Sequence, residues 1–107
     1  MKHQVWLSYD LSVAGDYRNL YEWLDNKDAK ECGDSVAFLS FDHPDADPRN
    51  ALRDELQRSV ALDGKKDRIY ALVSTTGKTR GSFIIGRRKS PPWAGYGMAA
   101  EQSEDVA

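Results

Sequence analysis

Residues 4–11, Gln-Val-Trp-Leu-Ser-Tyr-Asp-Leu, alternate with a period of two: Val5, Leu7, Tyr9 and Leu11 share one side, and Trp6, Ser8 and Asp10 the other. That period predicts a half-buried strand. Ser12 to Gly15 interrupt it, and Gly15 or Asp16 is placed to cap a helix. From Asp16 to Asn26 the period changes, with Tyr17, Leu20, Tyr21 and Leu24 recurring at the spacing of one helical stripe. Past polar Lys27, a short strand around Ala29–Cys32, a Gly33-Asp34-Ser35 turn and an apolar run Val36–Phe41 predict a hairpin. Two prolines and three aspartates make 42–48 a loop, ending on Asp47 as N-cap and Pro48 as first helical residue. A second helix follows over Pro48–Leu62, with Leu52, Leu56 and Val60 on its inner stripe and Gly64 placed to cap its end. Arg68–Ser74 alternates as a strand, Thr75–Arg80 reads as a polar loop, and Gly81–Arg87 as a last strand.

The order is strand, helix, hairpin, helix, strand, strand. It predicts an α+β fold: a ferredoxin-like βαββαβ sandwich with an additional C-terminal strand and extension. Residues 1–97 form one domain in this reading, and 98–107 a mobile tail. Two helices cover only one face of such a sheet. Trp6, Tyr70 and Leu72 then fall on the other, a patch that a second copy of the chain would bury. Trp93 and Tyr96, in the Pro-rich segment 90–97, are aromatic anchors expected to pack on the body or across that dimer.

Composition narrows the classes. With 40% hydrophobic and 30% charged residues in 107, the chain is globular rather than disordered. No apolar run approaches the roughly 20 residues of a membrane span, so a cytoplasmic protein without a membrane partner is expected. Cys32, the single cysteine, excludes an internal disulfide and a multi-cysteine zinc site, and no neighbouring His activates it as a nucleophile. The net charge of −2 conceals a division along the chain. Residues 68–100 carry Arg68, Lys78, Arg80, Arg87, Arg88 and Lys89 with no acidic residue at all. That stretch is either a solvated basic edge or a surface for phosphates or an acidic partner. In the second case Lys78, Arg80, Arg87, Arg88 and Lys89 hold nucleic acid while Trp93 stacks on a base.

Among polar residues Asp10 is the most informative. It ends the first strand on the face opposite Val5 and Leu7, where it either closes the following turn or meets its own copy across a dimer axis. Two facing carboxylates repel unless a shared proton or a divalent cation neutralises them, and a cation with bound water suits phosphodiester hydrolysis. His43 with Asp42, Asp45 and Asp47 reads as a solvated acidic loop, and His3 as a surface residue.

The run Ser8-Tyr9-Asp10-Leu11, followed by a helix and by Asp34-Ser35-Val36-Ala37-Phe38, resembles a known family. It is similar to the small CRISPR-associated endoribonuclease-like proteins of spacer acquisition, nearest their SinR-like and VapD-like relatives. The resemblance spans about residues 4–86. It implies a ferredoxin-like homodimer in which Asp10 of both subunits binds Mg2+ and is the catalytic residue of a nuclease, with Ser8 or Ser35 assisting. The chain departs from the family in its arginines, with Arg18 alone early and Glu31-Cys32 in the later place. Beside that nuclease stands a non-catalytic dimeric module that binds nucleic acid or a protein partner, such as a toxin–antitoxin or defence accessory.

Overall fold

A computed structural model describes residues 1–97; the expected tail at 98–107 lies outside the described residues. The elements are β1 (Lys2–Asp10), α1 (Tyr17–Asn26), β2 (Lys30–Glu31), β3 (Val36–Asp42), α2 (Arg49–Ser59), β4 (Arg68–Thr75) and β5 (Lys78–Ile85). All pairings are antiparallel, in the order β2-β3-β1-β4-β5. The fold is α+β, one five-stranded sheet with two helices. No helix among the described residues is long and apolar enough to cross a membrane.

The core lies between the helices and one face of the sheet. Val5 and Leu7 of β1, Leu39 and Phe41 of β3, and Ile69, Ala71 and Val73 of β4 meet Leu20, Trp23 and Leu24 of α1 and Leu52 and Leu56 of α2, all buried. The inner stripe of α1 is rotated from the expected one: Tyr21 is 54% exposed, and Trp23 points inward instead. Its indole N–H donates to Glu55 of α2 at 3.0 Å, and Lys27 binds the same carboxylate at 2.7 Å, so an amphipathic aromatic with a polar tip joins the two helices.

The helix ends show which local signals hold. Asp16 caps α1, accepting the Asn19 N–H at 3.3 Å, and also takes the Ala61 N–H at 2.8 Å from the segment after α2. Asp47 is not the cap of α2. Pro48 holds that position without a side-chain bond, while both Asp47 oxygens are taken by the Arg49 guanidinium at 2.9 and 2.8 Å. Nor does α2 reach Leu62. It stops at Ser59, where Val60 turns extended and buries its side chain, and Gly64 falls in the next turn.

At the end of α1 the Ala29 N–H reaches Leu24 O and the Asp28 N–H reaches Asp25 O, both at 3.0 Å. That Schellman closure puts Asp28 at φ 54, a left-handed position usually held by glycine. Asp28→Gly is expected to raise stability by about 0.5–1 kcal/mol, despite losing an exposed pair with Lys30. A rise in urea midpoint at unchanged slope checks it.

His3 is fully buried, not a surface residue. It is in phase with Val5 and Leu7, and its ring bridges Thr75 Oγ1 at 2.5 Å and the His43 carbonyl at 3.1 Å. A carbonyl only accepts, so Nε2 donates to His43, and Nδ1 is paired with the Thr75 hydroxyl. The expected loop at 75–80 shrinks to Thr76-Gly77, both at positive φ (45 and 83), so β5 begins at Lys78. Two left-handed residues make the hairpin turn whose twist matches the strands.

Candidate functional site

The sheet face away from the helices is set by strand register. Cross-strand neighbours share a face. Phe38, Trp6, Leu72 and Gly81 therefore form one row across β3, β1, β4 and β5. Val36, Ser8, Tyr70 and Phe83 form the next, and Asp10 with Arg68 lies beyond them at the end of β1. Trp6 and Phe38 meet with ring centroids 5.0 Å apart and planes tilted by 49°, both half-buried. Tyr70 meets Phe83 edge-on at 5.2 Å. Its ring covers Gly81, where an added Cβ would sit 2.3 Å from the Tyr70 hydroxyl. Leu72 and Phe83 remain 37% and 47% exposed. No helix among the described residues covers this aromatic surface.

At the Asp10 end the chain after β5 returns toward the face. Between the sheet and residues 88–93 lies a cavity of about 510 Å3, lined by Ser8, Asp10, Arg68, Tyr70, Phe83 and the segment Arg88–Trp93. Trp93 lines it while staying 73% exposed. Tyr96, 85% exposed, is not part of the lining.

Asp10 stands on the open face as expected, but it is partnered within its own chain. Its Oδ2 accepts from Arg68, directly opposite on β4, at 2.5 Å. A second copy would thus meet a neutral pair rather than a bare carboxylate. Among the described residues no three His, Cys, Asp or Glu side chains gather to hold a metal. Mg2+ requires about six oxygens, largely water, with one or two carboxylates. One chain offers a single carboxylate at this place, Asp10, with Oδ2 engaged by Arg68 and the side chain 62% exposed.

Sequence reasoning grouped residues that the fold separates. Arg88 and Lys89 line the cavity, and Arg87 immediately precedes them. Arg80 pairs in register with buried Val73, so it belongs to the helix-side face, where it approaches Asp47 at 4.0 Å. There Arg49, held by Asp47, donates to Ser82 at 3.1 Å. Lys78 sits at the turn into β5, opposite Thr75 and away from the cavity. Ser8 is on the open face, whereas Ser35 lies in the turn before β3 and binds β1 through its carbonyl, which accepts the Tyr9 N–H at 2.9 Å. Phe38 and Phe83, absent from the expected site, are central to the surface. Their signal was available as alternation in phase with Val36 and with Gly81, but short apolar runs do not reveal which side is covered.

Comparison with protein-family models, curated proteins and solved structures found no match.

Proposed function

We propose that this chain is a ferredoxin-like binding module whose open sheet face takes up single-stranded nucleic acid without cleaving it. The ferredoxin-like part is supported by strand order: β1 lies between β3 and β4 with β2 outside β3, as two interleaved β-α-β units require, and β5 is added at the edge. The observation that carries the function is the half-buried Trp6–Phe38 ring contact, tilted at 49°, on neighbouring central strands. Aromatic side chains in the middle of an uncovered sheet are a platform on which unpaired bases stack, with little dependence on sequence. Cations lie at the end of the same face. Arg68 and Arg80 are spent on Asp10 and Asp47, which leaves Arg87, Arg88 and Lys89 clustered where β5 ends. A paired duplex keeps its bases stacked inside and offers this surface nothing flat.

The test is fluorescence anisotropy with a labelled ten-nucleotide strand and its duplex, in Mg2+. The expected result is binding of the strand, weaker binding of the duplex, and a strand recovered intact. Equal affinity for both forms would contradict it.

A second reading is favoured by the breadth of the exposed apolar surface and by Asp10, whose side chain is 62% exposed on that face. It pairs two copies through the open faces as a homodimer and assigns Asp10 to Mg2+-dependent phosphodiester cleavage. Cleavage in the same assay, lost in Asp10→Asn, would favour it. A mass near twice 12.0 kDa with no strand binding would favour the dimer alone.

A further inference from the structure

We propose that the cavity under residues 88–93 is a site for a nucleotide that ends in a phosphate monoester. The inference rests on the nucleic-acid reading and names the ligand chemistry at one end of that face. The volume, about 510 Å3, falls in the range of roughly 300–1,000 Å3 typical of small-ligand sites. Its walls are of two kinds. Tyr70 and Phe83 form an edge-to-face pair on the sheet side, and Trp93 stands on the returning segment, so a flat ring entering here meets aromatic surface from both elements. Phe83 and Trp93 keep 47% and 73% of their surface exposed, area that a ligand would cover.

Charge selects the rest of the ligand. Asp10 and Arg68 cancel each other, while Arg88 and Lys89 join no ion pair among the described residues. The lining therefore carries a net charge of +2. A phosphate monoester carries about −1.5 to −2 at pH 7, whereas each diester link within a strand carries one negative charge. An acidic peptide or inorganic phosphate would match the cations but leave the aromatic walls without a flat partner. A free mononucleotide and the 5′-phosphorylated end of a strand present the same chemistry.

Isothermal titration of the full chain with AMP, adenosine and inorganic phosphate tests the site. AMP is expected to bind at least about tenfold more tightly than either fragment, since it joins stacking to charge pairing. Trp93→Ala should weaken AMP about tenfold, and its exposure means the body folds without it. Arg88→Gln with Lys89→Gln should abolish the preference of AMP over adenosine while leaving adenosine unchanged. AMP no tighter than adenosine, or unaffected by Trp93→Ala, would overturn the proposal. A 5′-phosphorylated hexanucleotide that outbinds both AMP and its 5′-hydroxyl form assigns the site to strand ends; equality with AMP assigns it to the free nucleotide. Strand binding without AMP binding removes this site and leaves the open-face reading standing. AMP binding without strand binding does the reverse.

Discussion

Replacing Asp67 by alanine is expected to lower stability by about 3 kcal/mol, although the residue lies in a loop. Asp67 is 2% exposed, and each of its oxygens has a separate task. Oδ1 accepts the Ser12 N–H and Oδ2 the Asp63 N–H, both at 2.8 Å. One carboxylate thus ties the segment after β1 to the turn between α2 and β4. Alanine leaves both part-buried N–H donors without their carboxylate partner. Asparagine is the sharper test. It fills the same space, but its NH2 group must face one of the two N–H donors, so Asp67→Asn should recover less than half of the loss. Urea unfolding of both variants at pH 7 measures this, and an alanine variant within about 1 kcal/mol of the parent would contradict it.

The same carboxylate makes stability depend on acid. Burial pushes its pKa upward, but the N–H groups of Asp63 and Ser12, the Ser12 side chain and Arg68 outweigh burial and hold it below the usual value. A depressed carboxyl stabilises the fold fully above its unfolded pKa, near about 3.9, and loses that contribution as pH falls through the folded value. Asp47, lowered first by the Arg49 guanidinium, and Asp16, lowered first by the Ala61 N–H, act with the same sign. Loss of stability below about pH 4 should therefore be shallower in Asp67→Asn than in the parent, with the remainder carried by the other two carboxylates.

Gly86→Ala is expected to cost a comparable 3 kcal/mol or more, roughly, and to reach into the site. Gly86 sits at φ 55, and an added Cβ would lie 2.1 Å from the Asp67 carbonyl oxygen and 2.9 Å from that of Gly64. Both obstacles are backbone, so relief requires the 64–67 turn or the end of β5 to move. Gly86 is also the point at which the chain leaves β5 for Arg88–Trp93. Displacement there should weaken AMP binding even at temperatures where the variant is folded. Because Gly86 packs against the backbone carbonyl of Asp67, the double variant should lose less than the two single losses added together. Full additivity would show that the contact does not couple them.

These two residues mark the limit of what local pattern reveals. The strand from Val5 to Asp10 and its two faces are legible because alternation is a property of neighbouring residues. His3 obeys the same alternation, yet a lone polar residue near a chain end carries no sign of the partners, Thr75 and His43, that make its burial tolerable. Trp23 is three residues past Leu20 and so in phase with the core; the competing tyrosines at 17 and 21 concealed which stripe turns inward. The Thr76-Gly77 turn was concealed by threonine, a β-branched residue that disfavours the left-handed region. Asp67 binding Ser12 across 55 positions has no local signal. The candidate site divides in the same way. Asp10, Trp6 and Tyr70 could be assigned to the open face from period alone, while the cavity joins residues from Ser8 to Trp93 and exists only in the folded chain.

The central claim is that the open face binds unpaired bases through Trp6 and Phe38, and the double variant Trp6→Ala, Phe38→Ala measured by strand anisotropy tests it most directly. Both half-buried side chains lie on the sheet face away from the helices, so the helix-side core is expected to remain intact, which a urea titration verifies. Each base–aromatic stack contributes about 1–3 kcal/mol, so the pair should lose roughly 30-fold or more in affinity. The salt dependence should not change. With three cations engaged at the end of β5, the logarithm of the association constant should fall with the logarithm of salt at a slope near about −2 in both proteins. A double variant that binds the strand as tightly as the parent would contradict the account.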